Sequence, residues 1–156
     1  LLGVFVHPLH TPVAFSSFPE ASLTKSFALF FPAATGITVG AGMSGQLADP
    51  RTGIVERDLV EYVNETSDTF DALCLDIDNG PDWTVTEGNA GLYGESGLAS
   101  CARVLRLGGV LAVWSAQPSP EFEGTLRNAG FQRVRTEEIP VARGVPDVVH
   151  LAVRPG

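Results

Sequence analysis

The chain has 156 residues, enough for one domain with a sizeable core and too few for two. Its 18 Asp and Glu against 10 Lys and Arg give a formal net charge of -8, which disfavours nucleic acid as a partner and mildly attracts cations such as polyamines. The apolar stretches at residues 1–6 and 27–31 are too short to span a bilayer and the first carries no basic leader, so no membrane partner is expected.

In chain order, residues 1–46 carry only Glu20 and Lys25 as charged side chains and mix Pro, Ser, Thr, Ala and Phe without a sustained helical or strand period. They read as a divergent or poorly ordered N-terminal segment, with the domain proper over residues 47–156. Within that segment Gly40-Ala41-Gly42-Met43-Ser44-Gly45 fits G-x-G-x-x-G, a turn that would present backbone N–H groups to a ligand. Pro50 interrupts the helix that ought to follow, so a chance glycine cluster stays open as the alternative.

From Asp49 onward the pattern is regular. Residues 52–56 predict a strand ending at Arg57-Asp58, and Leu59, Val60 and Val63 start a brief amphipathic helix for which Asp58 is a natural cap. Residues 72–75 are continuously apolar, the pattern of a strand buried on both faces of a parallel sheet. Ser96 is the expected N-cap of a helix burying Leu98, Ala102 and Leu105, with Gly108 as its stop and residues 110–114 as the next strand. Ser119-Pro120 opens another helix, acidic in its first turn at Glu121 and Glu123, burying Phe122 and Leu126 and ending at Gly130. Residues 132–139 and 148–153 predict two closing antiparallel strands.

An apolar strand ending in carboxylates and returning through a helix to a second apolar strand is a βαβ unit, and ligands of such sheets bind at the carboxyl ends of the strands. Asp76-Ile77-Asp78-Asn79-Gly80-Pro81 occupies that place, followed by Leu92-Tyr93-Gly94 and Leu107-Gly108-Gly109. A carboxylate at such a strand end can serve as a proton acceptor. The plain alternative is that both carboxylates terminate a strand and solvate a loop.

On these residues the chain resembles, over 49–153, the spermidine synthase-like aminopropyltransferase family of the S-adenosylmethionine-dependent methyltransferase fold. The resemblance implies an α/β, Rossmann-like methyltransferase-type sheet, mostly parallel with a C-terminal antiparallel strand pair and incomplete at the N-terminus. It implies that Asp76 deprotonates or orients the attacking amine and that Asp78 binds the substrate's ammonium. Asn79 stands where the family's D-x-x-D spacing expects a carboxylate, and Tyr93 falls near the polyamine channel. Asp58 would recognise the adenine amino group, and Gly40 and Gly42 the methionine and ribose of S-adenosylmethionine or its decarboxylated form, bound as substrate.

Three readings follow: an aminopropyl transferase acting on a polyamine, a small-molecule methyltransferase, and a noncatalytic remnant acting by binding. A homodimer is compatible with each. Cys74 and Cys101 read as reduced, packed thiols of a cytoplasmic protein. Trp83 and Trp114 are expected in the core or a pocket wall. His7, His10 and His150 lack a convergent third ligand, so no metal is expected.

Overall fold

The computed structural model describes residues 2–6, 27–32, 53–85, 87–141 and 144–156. Their elements, in chain order, are β1 (Leu2–Val6), β2 (Phe27–Pro32), β3 (Gly53–Arg57), α1 (Leu59–Glu65), β4 (Phe70–Leu75), a 3-10 turn (Glu87–Asn89), α2 (Ala90–Tyr93), α3 (Glu95–Val104), β5 (Leu105–Ser115), α4 (Pro120–Asn128), β6 (Gln132–Ile139) and β7 (Asp147–Val153).

The strands form one sheet of order β3-β1-β2-β4-β5-β7-β6. β2, β4 and β5 run parallel, and β7 lies antiparallel between β5 and β6, the closing pair that the sequence predicts. β1 runs against both β2 and β3, so the parallel part is confined to the three central strands. The sheet is not restricted to the residues after the composition break, because β1 and β2 stand between β3 and β4. The rest of 1–46, with the Gly40–Gly45 motif, lies outside the described residues.

These directions put the carboxyl ends of β2, β3, β4 and β5 and the amino end of β7 on one edge of the sheet. Strand alternation divides the core between the two faces. Leu73, Leu75, Leu111, Val113 and Ala152 join Leu59, Val63, Leu98, Cys101, Val104, Phe122 and Leu126 from the helices on one face. Cys74, Ala112 and Leu151 form a smaller cluster of their own. Both cysteines are free thiols, which burial pushes up to about 12, so they stay protonated and inert.

α3 departs from its expected ends. Its N-cap is Gly94, with no side-chain bond, and not Ser96; Glu95 in the first turn supplies the charge that favours this terminus. The helix stops at Val104, well before Gly108, and the apolar side chains it buries are Leu98, Cys101 and Val104, with Leu105 already in β5. Gly108 (φ 78) and Gly109 instead belong to an irregularity inside β5, where the partners of Phe70 and Ala72 jump from Leu105 to Val110. A Cβ on Gly109 would stand 2.8 Å from the Arg106 carbonyl oxygen, so the two glycines serve a bulge in the strand. Arg103 reaches across to the C-terminal end of α1, donating to the Thr66 carbonyl at 2.8 Å and to that of Val63 at 2.5 Å, where a cation complements the helix dipole.

α4 follows its expected form: Ser119 accepts from the Phe122 N–H at 3.1 Å, Pro120 opens the helix, and Phe122 and Leu126 are buried.

Two positions carry testable consequences. Gly80 has φ 125, and a Cβ built there would lie 2.1 Å from the Ser115 Oγ. Gly80→Ala therefore combines backbone strain with a steric clash and should cost about 2–4 kcal/mol of unfolding free energy. Urea denaturation measures it, and Gly88→Ala, where nothing lies within 4 Å, is the matched control with little change expected. His150 is buried on β7, its Nδ1 2.9 Å from the Thr136 Oγ1 and its ring edge-on to Phe122 at 5.4 Å. Burial lowers its pKa from the ordinary 6.5, against the opposing charges of Glu123 and Asp82. The unfolded chain therefore binds this proton more readily, so stability is full above the unfolded value and is lost as pH falls toward the folded one. Denaturation midpoints should decline as pH falls through the ordinary histidine value of 6.5, and His150→Phe should flatten that decline.

Candidate active site at the carboxyl edge of the sheet

β4 ends at Leu75 and the chain leaves it through Asp76, Ile77 and Asp78. Ile77 is buried, Asp76 turns to solvent, and Asp78 turns inward and is 6% exposed. An ionised carboxylate at that depth must be hydrogen-bonded. Its Oδ1 accepts from the Val85 N–H at 2.8 Å and its Oδ2 from the Tyr93 hydroxyl at 3.1 Å. Both oxygens are thus engaged inside the protein, one closing the loop on itself and the other tying it to α2.

Tyr93 is buried and packs edge-on against Phe122, centroids 5.8 Å apart at 85°. Burial, followed by the charge of Asp78 and their hydrogen bond, raises its pKa, so the phenol remains a donor. The loop is held at two more points. The Asn79 carbonyl accepts from the Ala116 N–H at 3.0 Å and from the Ser115 hydroxyl at 3.5 Å, and the Trp83 N–H closes a turn on the Gly80 carbonyl at 3.2 Å. The Asn79 side chain is half-buried beside these contacts.

Asp76 faces outward at the strand end. Burial by its surroundings raises its pKa, and the negative charge of Asp147 raises it further. Asp147 opens β7, and because β7 is antiparallel its first residue lies on the same edge as the last residues of β4 and β5. Sequence reasoning missed it. The signal was present in an acidic residue at the head of the antiparallel strand, which belongs to the same rim as the acids that end parallel strands.

Asp58 closes β3 on that edge and caps α1, its Oδ1 accepting from the Glu61 N–H at 3.0 Å. β1 and β2 stand between β3 and β4, so strand spacing sets Asp58 and Asp76 about 14 Å apart along the edge. Asp76, Asp78, Asn79 and Tyr93 are thus brought together, Asp58 lies farther along, and Gly40 and Gly42 fall outside the described residues. Trp83 is not in a core or pocket wall: the Gly80–Trp83 turn carries its ring outward, 60% exposed, whereas Trp114 is half-buried in β5. Among the described residues no group of three or more His, Cys, Asp and Glu is placed to hold a metal ion, and no helix is long and apolar enough to cross a membrane.

No protein-family model matches the chain. Solute carrier family 12 member 2 of human and of mouse each align at 51% identity over 47 residues, which is 30% of this chain and 4% of theirs, too small a share to show a family. The solved structures agree with the topology. An O-methyltransferase family protein from Burkholderia thailandensis superposes with a TM-score of 0.52 at 15% identity, over 80% of this chain and 42% of its own. Spermidine synthase from Thermotoga maritima gives 0.51 at 18% identity, over 78% and 40%. The S-adenosylmethionine-dependent methyltransferase SibL in its apo form gives 0.50 at 14%, over 83% and 43%. The chain spans less than half the length of these proteins, and at such identities the likeness shows the fold. The chain has the α/β, Rossmann-like fold of S-adenosylmethionine-dependent methyltransferases and spermidine synthases.

Proposed function

We propose that the chain is a transferase of the spermidine synthase-like type, moving the aminopropyl group of decarboxylated S-adenosylmethionine to a primary amine, with Asp76 as proton acceptor. The observation that carries this reading is that Asp76, just past the end of β4, and Asp147, at the head of β7, share the carboxyl edge of the sheet beside a loop locked by Asp78 and Tyr93. A carboxylate whose affinity for protons is raised by burial and a neighbouring negative charge also favours an ammonium ion beside it.

The donor supplies a sulfonium-activated carbon, and its sulfur leaves as a neutral thioether when the amine nitrogen attacks. The amine must first lose a proton, which Asp76 accepts. Its raised pKa makes it a stronger base than a free carboxylate. Asp78 and Tyr93 hold the loop so that Asp76 keeps its outward aim. The adenine end fits Asp58, whose Oδ1 is taken by the Glu61 N–H and whose second oxygen can accept from an exocyclic amino group. Gly40 and Gly42 would serve the ribose and methionine portion, as the resemblance implies.

The test is incubation of the purified chain with decarboxylated S-adenosylmethionine and 1,4-diaminobutane, following methylthioadenosine and the alkylated amine by mass spectrometry. Formation of both is expected. Methyl transfer from S-adenosylmethionine with no aminopropyl transfer would replace this reading by a methyltransferase, and no transfer from either donor would remove it. Asp76→Asn should lower turnover by about 10²-fold or more while the fold persists. Since the base must be ionised, kcat/KM should climb with pH through the raised Asp76 pKa. Asp147→Asn removes one cause of that elevation and should move the climb to lower pH. Tyr93→Phe leaves a buried carboxylate oxygen without its donor, and unfolding free energy should fall by about 1–3 kcal/mol.

A further inference from the structure

Asn79-Gly80 is the one place in the sequence where an asparagine precedes a glycine; Asn64, Asn89 and Asn128 precede Glu65, Ala90 and Ala129. The fold requires that glycine, since Gly80 has φ 125 and a Cβ there would run into the Ser115 side chain. No side chain at position 80 therefore obstructs the approach of the Gly80 nitrogen to Cγ of Asn79. Among the described residues neither the Asn79 side-chain amide nor the Gly80 N–H has a hydrogen-bond partner, and the half-buried Asn79 side chain still meets solvent. The carbonyl of the same peptide unit, in contrast, is engaged: the Asn79 oxygen accepts from the Ala116 N–H at 3.0 Å. Loss of the Gly80 amide proton moves negative charge onto that oxygen, where a donor already held in place stabilises it. The loop thus joins a free electrophile, an unobstructed nucleophile and a donor for the charge that the nucleophile acquires.

We propose that Asn79 is a self-modification site, converted in the folded protein to a carboxylate with loss of ammonia. The deprotonated Gly80 nitrogen attacks Cγ of Asn79. A new N–C bond closes a five-membered imide, the Cγ–Nδ2 bond breaks, and ammonia departs with the proton that the Gly80 nitrogen gave up. Water then adds to one of the two imide carbonyls and opens the ring. Addition at Cγ gives aspartate; addition at the main-chain carbonyl gives isoaspartate, in which the chain runs on through Cγ. Either way one amide and one water become one carboxylic acid and one ammonia, and no oxidant or reductant is needed. The acid adds a negative charge to a chain whose formal net charge is already -8. Asn79 is three positions from Asp76, so their Cα atoms lie within about 11 Å, and the new charge deepens the negative potential around Asp76. A gain in amine binding there rests on the proposed function; the modification does not.

Peptide mass spectrometry of the full chain, incubated folded in mildly alkaline buffer made with heavy-oxygen water, reads the reaction directly. The Asn79 peptide should gain about 3 Da, one from exchanging an amide for an acid and the rest from the incorporated oxygen. Asn64, Asn89 and Asn128 should stay unlabelled while half of Asn79 reacts, and Asn79→Gln, which must close a larger ring, should not be labelled at position 79. The same chain in denaturing urea loses the Ala116 contact, so the folded chain should react about two- to tenfold faster, the factor that one hydrogen bond supplies. A folded rate below that in urea would overturn the proposal by showing that the fold protects Asn79. No heavy oxygen at Asn79, or equal labelling at the other asparagines, would overturn it as well. Calorimetric titration with 1,4-diaminobutane tests the consequence: Asn79→Asp should bind about two- to fivefold tighter than the unreacted chain, and equal affinity would overturn the assigned gain in binding. If Asn79 is labelled as expected while no amine accepts a group from either donor, the proposed function falls and the modification stands. If 1,4-diaminobutane is alkylated and Asn79 stays unlabelled, the reverse holds.

Discussion

The arrangement at the sheet edge depends on one buried charge. The Asp78 carboxylate lies inside the protein with a backbone N–H on one oxygen and a phenol on the other, and without them its desolvation would cost several kcal/mol. That requirement fixes the rest in turn. Val85 must return to Asp78, which closes the loop; Tyr93 must be buried with its hydroxyl inward, which sets α2 against the end of β4; and Phe122 packs on the Tyr93 ring, which seats α4. Past the end of β4 the alternation of the strand lapses: Ile77 and Asp78 are both buried, and Asp76 is left facing solvent.

Much of this was legible in the sequence, for reasons that differ from element to element. β4 announces itself because a central strand is apolar on both sides, and α4 because Ser119, Pro120 and two glutamates form an unambiguous helix start. Gly108 misled because a glycine after an apolar helical face has two meanings, a helix stop or a bulge, and only the pairing of β4 with β5 decides between them. The scarcity of charge before Asp49 suggested a segment apart from the domain. The same scarcity is natural in strands flanked on both sides, as β1 and β2 are.

The candidate site was legible to the extent that it is local. Asp76 and Asp78 share a short loop, and Tyr93 follows closely enough to be suspected. Which carboxylate faces solvent was not legible, because the pattern Asp-Ile-Asp is symmetrical and the inward turn is decided by Val85 and Tyr93. Asp147 lies far along the chain and reaches Asp76 only because β7 is antiparallel to β5. The outward ring of Trp83 was equally hidden, since composition alone assigns a tryptophan to an interior.

The order β5-β7-β6 also governs how the sheet can be completed. β6 precedes β7 in the chain, yet the strand it pairs with is β7, which alone touches β5. β6 therefore has no strand to dock on until β7 exists. The two must enter as a preformed hairpin, or β7 must dock first and recruit β6 afterwards. The hairpin route needs only a short loop closure, an event of microseconds, before one bimolecular-like encounter with the β5 edge. On either route Asp147 comes to the rim that bears Asp76 only when β7 docks on β5, so the negative charge that raises the Asp76 pKa arrives with that one strand pairing.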